Sequence, residues 1–106
     1  MYNTKQQPMN FKKAAGQDAQ KLQKLMLDET GYDMFKIDLK SRTYELGWNK
    51  HDMINILARF EHEYQLDVDK LDQERDDFLN AGNLEYMIRF MIKSIKNERN
   101  QGKSIG

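Results

Sequence analysis

The chain has 106 residues, no cysteine, and 17 basic against 17 acidic side chains. That length suits one domain with one modest core, and the missing cysteines exclude disulfides and thiolate metal sites. Hydrophobic residues make up 39% and charged residues 32% at zero net charge, so self-repulsion gives no reason for disorder.

The zero hides an uneven distribution. Residues 1–27 carry five lysines against Asp18, residues 28–78 hold 14 acids against seven bases, and residues 84–106 hold five bases against two acids. Basic ends flanking an acidic middle are expected to pair within the fold. The sharper alternative is a basic surface for an acidic partner.

Residues 1–10 are polar, contain Pro8 and lack the apolar stretch of a secretory signal. They read as a flexible arm. No segment approaches the roughly eighteen uninterrupted apolar residues of a membrane span, so a cytoplasmic protein is expected. From Asn10 to Thr30, the positions Phe11, Ala15, Ala19, Leu22, Leu25 and Met26 recur at helical spacing, and Gly31 is placed to end that helix in a left-handed cap.

The period then changes to two. Phe35, Ile37 and Leu39 alternate with charged residues, and after Ser41-Arg42 Tyr44, Leu46 and Trp48 alternate with Glu45 and Gly47. The alternation predicts a β-hairpin at about 34–48, although no Asn-Gly or Asp-Gly marks its turn. Two strands alone are barely stable, so the hairpin is expected to lie on helices or pair with another chain.

Asn49 is placed to cap a helix striped by Met53, Ile56, Leu57, Phe60 and Tyr64. Asp67 is placed to cap a third helix, stapled by Leu66 and Leu71, with Val68, Phe78 and Leu79 inward. Ala81-Gly82-Asn83 ends it and caps a fourth. That last helix carries the strongest stripe in the chain, Leu84, Met87, Ile88, Met91, Ile92 and Ile95, with Tyr86 and Phe90 on another side. Residues 100–106 read as a flexible tail. The expected architecture is α+β and mostly helical: an N-terminal helix, a hairpin and three helices in one domain spanning 11–99.

Chemistry is sparse. His51 and His62 sit eleven residues apart on one helix, about 16 Å along its axis, too far to share a metal ion. The Asp67, Asp69, Asp72 run places Leu71, Asp72 and Phe78 where a calcium loop needs a ligand, a glycine and a bidentate Glu. No glycine-rich phosphate loop and no G-x-S-x-G are present. The sequence thus points to no enzyme, no cofactor and no metal.

Two binding readings remain. The first is protein binding, on Trp48, Tyr64, Tyr86 and Phe90 as anchors and seven methionines as adaptable contacts. Its partner is another protein or a second copy of the chain. The second is nucleic-acid binding through Lys13, Lys21 and Lys24 on the first helix and Arg89, Lys93 and Lys96 on the last. Against it, the last-helix cations have an ordinary explanation in the negative end of the helix dipole.

The second hairpin strand Thr43-Tyr44-Glu45-Leu46, a helix ending in Phe60-Glu61, a Leu66-Asp67-Val68-Asp69 link and a helix opening Asn83-Leu84-Glu85 follow one another in order. In this order of parts, Phe35 to Ile95 resembles the small tail assembly chaperones of tailed bacteriophages. The resemblance implies a non-catalytic morphogenesis factor that binds virion proteins, encoded by a phage or mobile element. A small inhibitor of a host protein is the other form of the protein-binding reading.

Overall fold

The computed structural model describes residues 10–66 and 75–105. The expected N-terminal arm at 1–10 lies outside them except for Asn10, which caps the first helix. So do the Asp67 cap and the Val68 and Leu71 positions of the third helix.

Helix α1 spans Phe11–Ala15, capped by the Asn10 side chain, which accepts from the Lys13 N–H. The single N-terminal helix expected from the periodicity is broken at Gly16, whose φ of +57° is open to glycine, and a 3-10 turn covers Gly16–Asp18. Helix α2 follows over Ala19–Thr30 and ends on Gly31 at φ +81°, the left-handed cap its sequence calls for. The six apolar positions read from the sequence all face the core, from Phe11 at 5% exposure to Met26 at none.

The hairpin is absent, and among the described residues there is no strand. The segment between α2 and α3 is a succession of turns, because its own acidic side chains take the backbone donors a ladder would need. The Asp33 carboxylate accepts from the Phe35 N–H, Asp38 from the Lys40 N–H, and Glu45 from the Arg42 N–H, each at 2.9 Å. The Phe35 N–H and the Gln23 amide hold the Asp33 carboxyl below its ordinary range. Alternation does not survive this winding, for Met34 and Leu39 are buried while Phe35 is exposed.

What the segment does instead is start the last helix. Thr43 donates to the Gly82 carbonyl and Leu84 to that of Ser41, both at 3.1 Å, as an isolated antiparallel bridge between Arg42 and Asn83. Glu85 donates to the Leu39 carbonyl at 2.8 Å, and Tyr86 to the Asn83 side chain at 2.8 Å. Three of the N–H groups that a helix start leaves without partners are satisfied this way.

Helix α3 spans Lys50–Glu63 and opens on a reciprocal capping box, Asn49 with Asp52, at 2.9 Å in both directions. Residues 75–79 are helical (α4), and Arg75 holds the buried Glu61 carboxylate of α3 at 2.8 Å. Helix α5 runs Leu84–Ile105, past Asn100 where a tail is expected. Leu84, Met87, Ile88 and Met91 are fully buried and Ile95 is 4% exposed, so α5 forms the centre of the core. Burial of each such side chain contributes about 2 kcal/mol. Asp18 and Arg99 close the far end by a paired contact at 2.6 and 2.8 Å, and Arg59 of α3 reaches Glu29 of α2. Among the described residues no helix is long and apolar enough to cross a membrane.

Helix α3 ends on a left-handed residue that is not glycine. Gln65 has φ +51°, Leu66 donates to the Glu61 carbonyl at 3.0 Å and Gln65 to that of His62 at 3.2 Å. This is a Schellman cap with a side chain in the position glycine prefers. Gln65→Gly is therefore expected to stabilise the fold by about 1 kcal/mol, read by urea denaturation. Destabilisation would mean that the Gln65 side chain contributes more than its backbone costs.

Candidate functional site

Helix α5 has two sides with opposite characters. At about 100° per residue, Lys96, Arg89, Asn100, Lys93, Tyr86, Asn97 and Phe90 fall within an arc of about 120°, facing away from the buried stripe. Tyr86 is 51% exposed. Phe90 is half-buried, its ring 5.3 Å from that of Phe78 in α4. The aromatic side of α5, which one packed layer cannot cover together with the stripe, is thus half covered by α4 and half open.

Two adjoining grooves mark this face. The first, about 220 Å³, lies among Asp77, Tyr86, Arg89, Phe90 and Lys93. The second, about 480 Å³, lies where Ala14 of α1 meets Arg89, Ile92, Lys93, Lys96 and Asn97. They share Arg89 and Lys93, and among the described residues no carboxylate lines the second.

The three cations follow one another at i, i+4 and i+7. Like charges stacked in this way cost an isolated helix about 0.2–0.5 kcal/mol per pair. Arg89 is answered by Glu85 at 3.1 Å, but no carboxylate among the described residues pairs with Lys93 or Lys96. The dipole explanation also fails. Because α5 continues to Ile105, Lys93 and Lys96 stand more than two turns from its end, whereas the dipole acts within the last turn.

The remaining candidates are elsewhere. Trp48 lies half-buried, edge-on to Tyr32 at 6.1 Å. Lys21 is engaged internally, donating to the Glu63 carbonyl at 3.2 Å with its ammonium 4.4 Å from the Tyr64 ring centre. Lys24 lines a small cavity beside Asp28 and Glu63. Lys13 is exposed on α1, next to the Ala14 that borders the second groove. The structure therefore gathers Tyr86, Phe90, Arg89, Lys93 and Lys96, and leaves out Trp48, Tyr64, Lys21 and Lys24.

A third feature lies at the start of α1. Lys12 places its ammonium 4.9 Å from the Phe35 ring centre, and Phe11 meets the same ring edge-on at 5.6 Å. Phe35 is nonetheless 38% exposed beside a cleft of about 560 Å³. The two partners are 23 and 24 residues away in sequence, so no local pattern signals the contact.

Tyr64 belongs to a polar corner at the other end of the molecule. Its ring leans on Phe60 at 5.2 Å, and it borders a cavity of about 390 Å³ with Leu66, Ile95 and Arg99. Its hydroxyl is buried with no hydrogen-bond partner among the described residues. Burial, reinforced by Asp18 and opposed by Arg99, pushes the phenol up to about 12. The neutral form is thus favoured in the fold. Its titration leaves stability unchanged below pH 10, and stability falls as pH rises from about 10 to 12, where the unfolded phenol ionises and the folded one resists.

Tyr64→Phe removes a desolvated hydroxyl and is expected to stabilise the protein by about 1 kcal/mol at neutral pH. It should also remove a phenolate step near 12 from an alkaline absorbance titration. A loss of stability in this variant would show that the hydroxyl has a partner.

No protein-family model, curated protein or solved structure matches this chain.

Proposed function

We propose that this is a non-enzymatic protein-binding domain that engages its partner through the outer face of α5. The observation that carries the reading is the open Tyr86 ring beside the half-covered Phe90, flanked by Arg89 and Lys93 on the side of α5 that faces away from the core. Tyrosine and arginine are the residue types over which binding energy concentrates in protein interfaces. A morphogenesis factor and a small inhibitor are both forms of this reading. The tail-chaperone likeness lends it less support than the α5 surface does, since residues 43–46 form a turn where that likeness has a strand.

The nucleic-acid reading retains Arg89, Lys93 and Lys96 but loses Lys21 to the Glu63 carbonyl and the Tyr64 ring, and Lys24 stands apart from the α5 face beside Asp28 and Glu63. The test is affinity capture by the full chain from extracts of the cell that encodes it, with nuclease treatment, comparing the wild type with Tyr86→Ala. Exposed as it is, Tyr86 can be truncated within about 0.5 kcal/mol of wild-type stability. Phe90→Ala, by contrast, should cost about 2 kcal/mol because it strips the Phe78 contact. Specific protein recovery that survives nuclease and is lost with Tyr86→Ala is expected. Recovery unaffected by Tyr86→Ala, or abolished by nuclease, would overturn the proposal.

A further inference from the structure

Building on the protein-binding reading, we infer that the segment which docks on α5 is an acidic amphipathic helix, its apolar residue against Tyr86 and Phe90 and its carboxylates against Lys93 and Lys96. The two grooves set this chemistry. At the Tyr86 end, the first groove offers the rings an apolar anchor can cover. At the Lys96 end, the second is lined by three cations and two amides, with no anion among the described residues. A partner that covered only the rings would leave Lys93 and Lys96 unanswered. One carrying only negative charge would leave Tyr86 open to water.

The helical form follows from the backbone. Extended peptides gain affinity and register by pairing their backbone with a free strand edge. Among the described residues no strand exists, and the N–H and C=O groups along α5 are committed within the helix. A docked segment finds no backbone partner on this face, and a helix is the form that satisfies its own backbone. From Tyr86 to Lys96 the face runs about 15 Å, the length of about three helical turns. On such a partner the carboxylates stand about one and two turns from the apolar anchor.

The same charges suit nucleic acid poorly. A protein held mainly by phosphates neutralises on the order of six to ten of them, whereas this face offers three cations, one already paired with Glu85. Asp77 lines the same groove as the open Tyr86 ring, and its carboxylate would repel a phosphate there.

The full chain can be titrated, by fluorescence anisotropy at physiological salt, with labelled helical peptides of about 12 residues. Each carries a leucine anchor followed by glutamates one and two turns away, built in both chain directions. Controls replace Glu by Gln, and a single-stranded oligonucleotide serves as a polyanion without an anchor. Saturable binding of an acidic peptide is expected, weakened about tenfold or more by Glu-to-Gln replacement, by Lys93→Gln with Lys96→Gln, and by Tyr86→Ala.

Equal binding of the neutral peptide, or no binding of either acidic peptide, would overturn the inference. So would an oligonucleotide that binds more tightly than the peptides and loses that affinity with the two lysine variants. The underlying protein-binding reading fails separately: it falls if Tyr86→Ala leaves cellular capture intact. It stands while this inference falls if Tyr86→Ala abolishes capture and the lysine pair does not.

Discussion

Helix α5 begins where another part of the chain lets it begin. Its first backbone donors are answered by the Ser41 and Leu39 carbonyls and by the Asn83 side chain. A helix start buried without such partners would carry several unmade hydrogen bonds, each comparable in cost to a lost contact in the core. The same bonds fix where Leu84 enters the interior, and with it the rotation of the whole helix. Met87, Ile88 and Met91 then fall inward, and Tyr86, Lys93 and Lys96 fall outward. Core and candidate contact surface are set by one anchoring.

The ion pairs divide by what surrounds them. Glu61 and Arg75 meet in a largely buried place, where removing one partner strands a charge and is costly. Arg59 with Glu29 and Arg99 with Asp18 are more open and screened by salt, so they hold orientation more than they add stability. Glu29 and Glu61 are answered by Arg59 and Arg75 of the same middle segment, and Arg99 by Asp18 of the opposite basic end. These ion pairs therefore do not join the basic ends to the acidic middle as the charge distribution suggests. They do not reach the outer stripe of α5, which is why that stripe remains the strongest pointer to something outside the chain.

The helices were readable because their signals are local. Asn10, Gly31, Asn49 and Asn83 sit where caps are needed, and the apolar positions of α2, α3 and α5 recur at the period that buries one side. The segment from 34 to 48 was misread for an equally physical reason. Alternation reports a strand only when the backbone is free to join a ladder, and Asp33, Asp38 and Glu45 bend it into turns first. The candidate site was half legible. Tyr86, Phe90, Arg89, Lys93 and Lys96 share one helix, so geometry alone groups them. Lys21 and Tyr64 engage partners more than thirty residues away, which no window along the chain can see.

The loop that starts α5 does so with main-chain carbonyls, and that shapes how freely this protein can change its sequence. Side chains at Ser41 and Arg42 can drift while the carbonyl of residue 41 still receives the Leu84 N–H. Proline behaves in the opposite way. It is ordinarily welcome at the first position of a helix, where the missing donor goes unused. At Leu84 that donor is used, and the side chain it would replace is fully buried. Drift at Ser41 and Arg42 is therefore compatible with the fold, and the residue that usually marks a helix start is the one this helix start excludes.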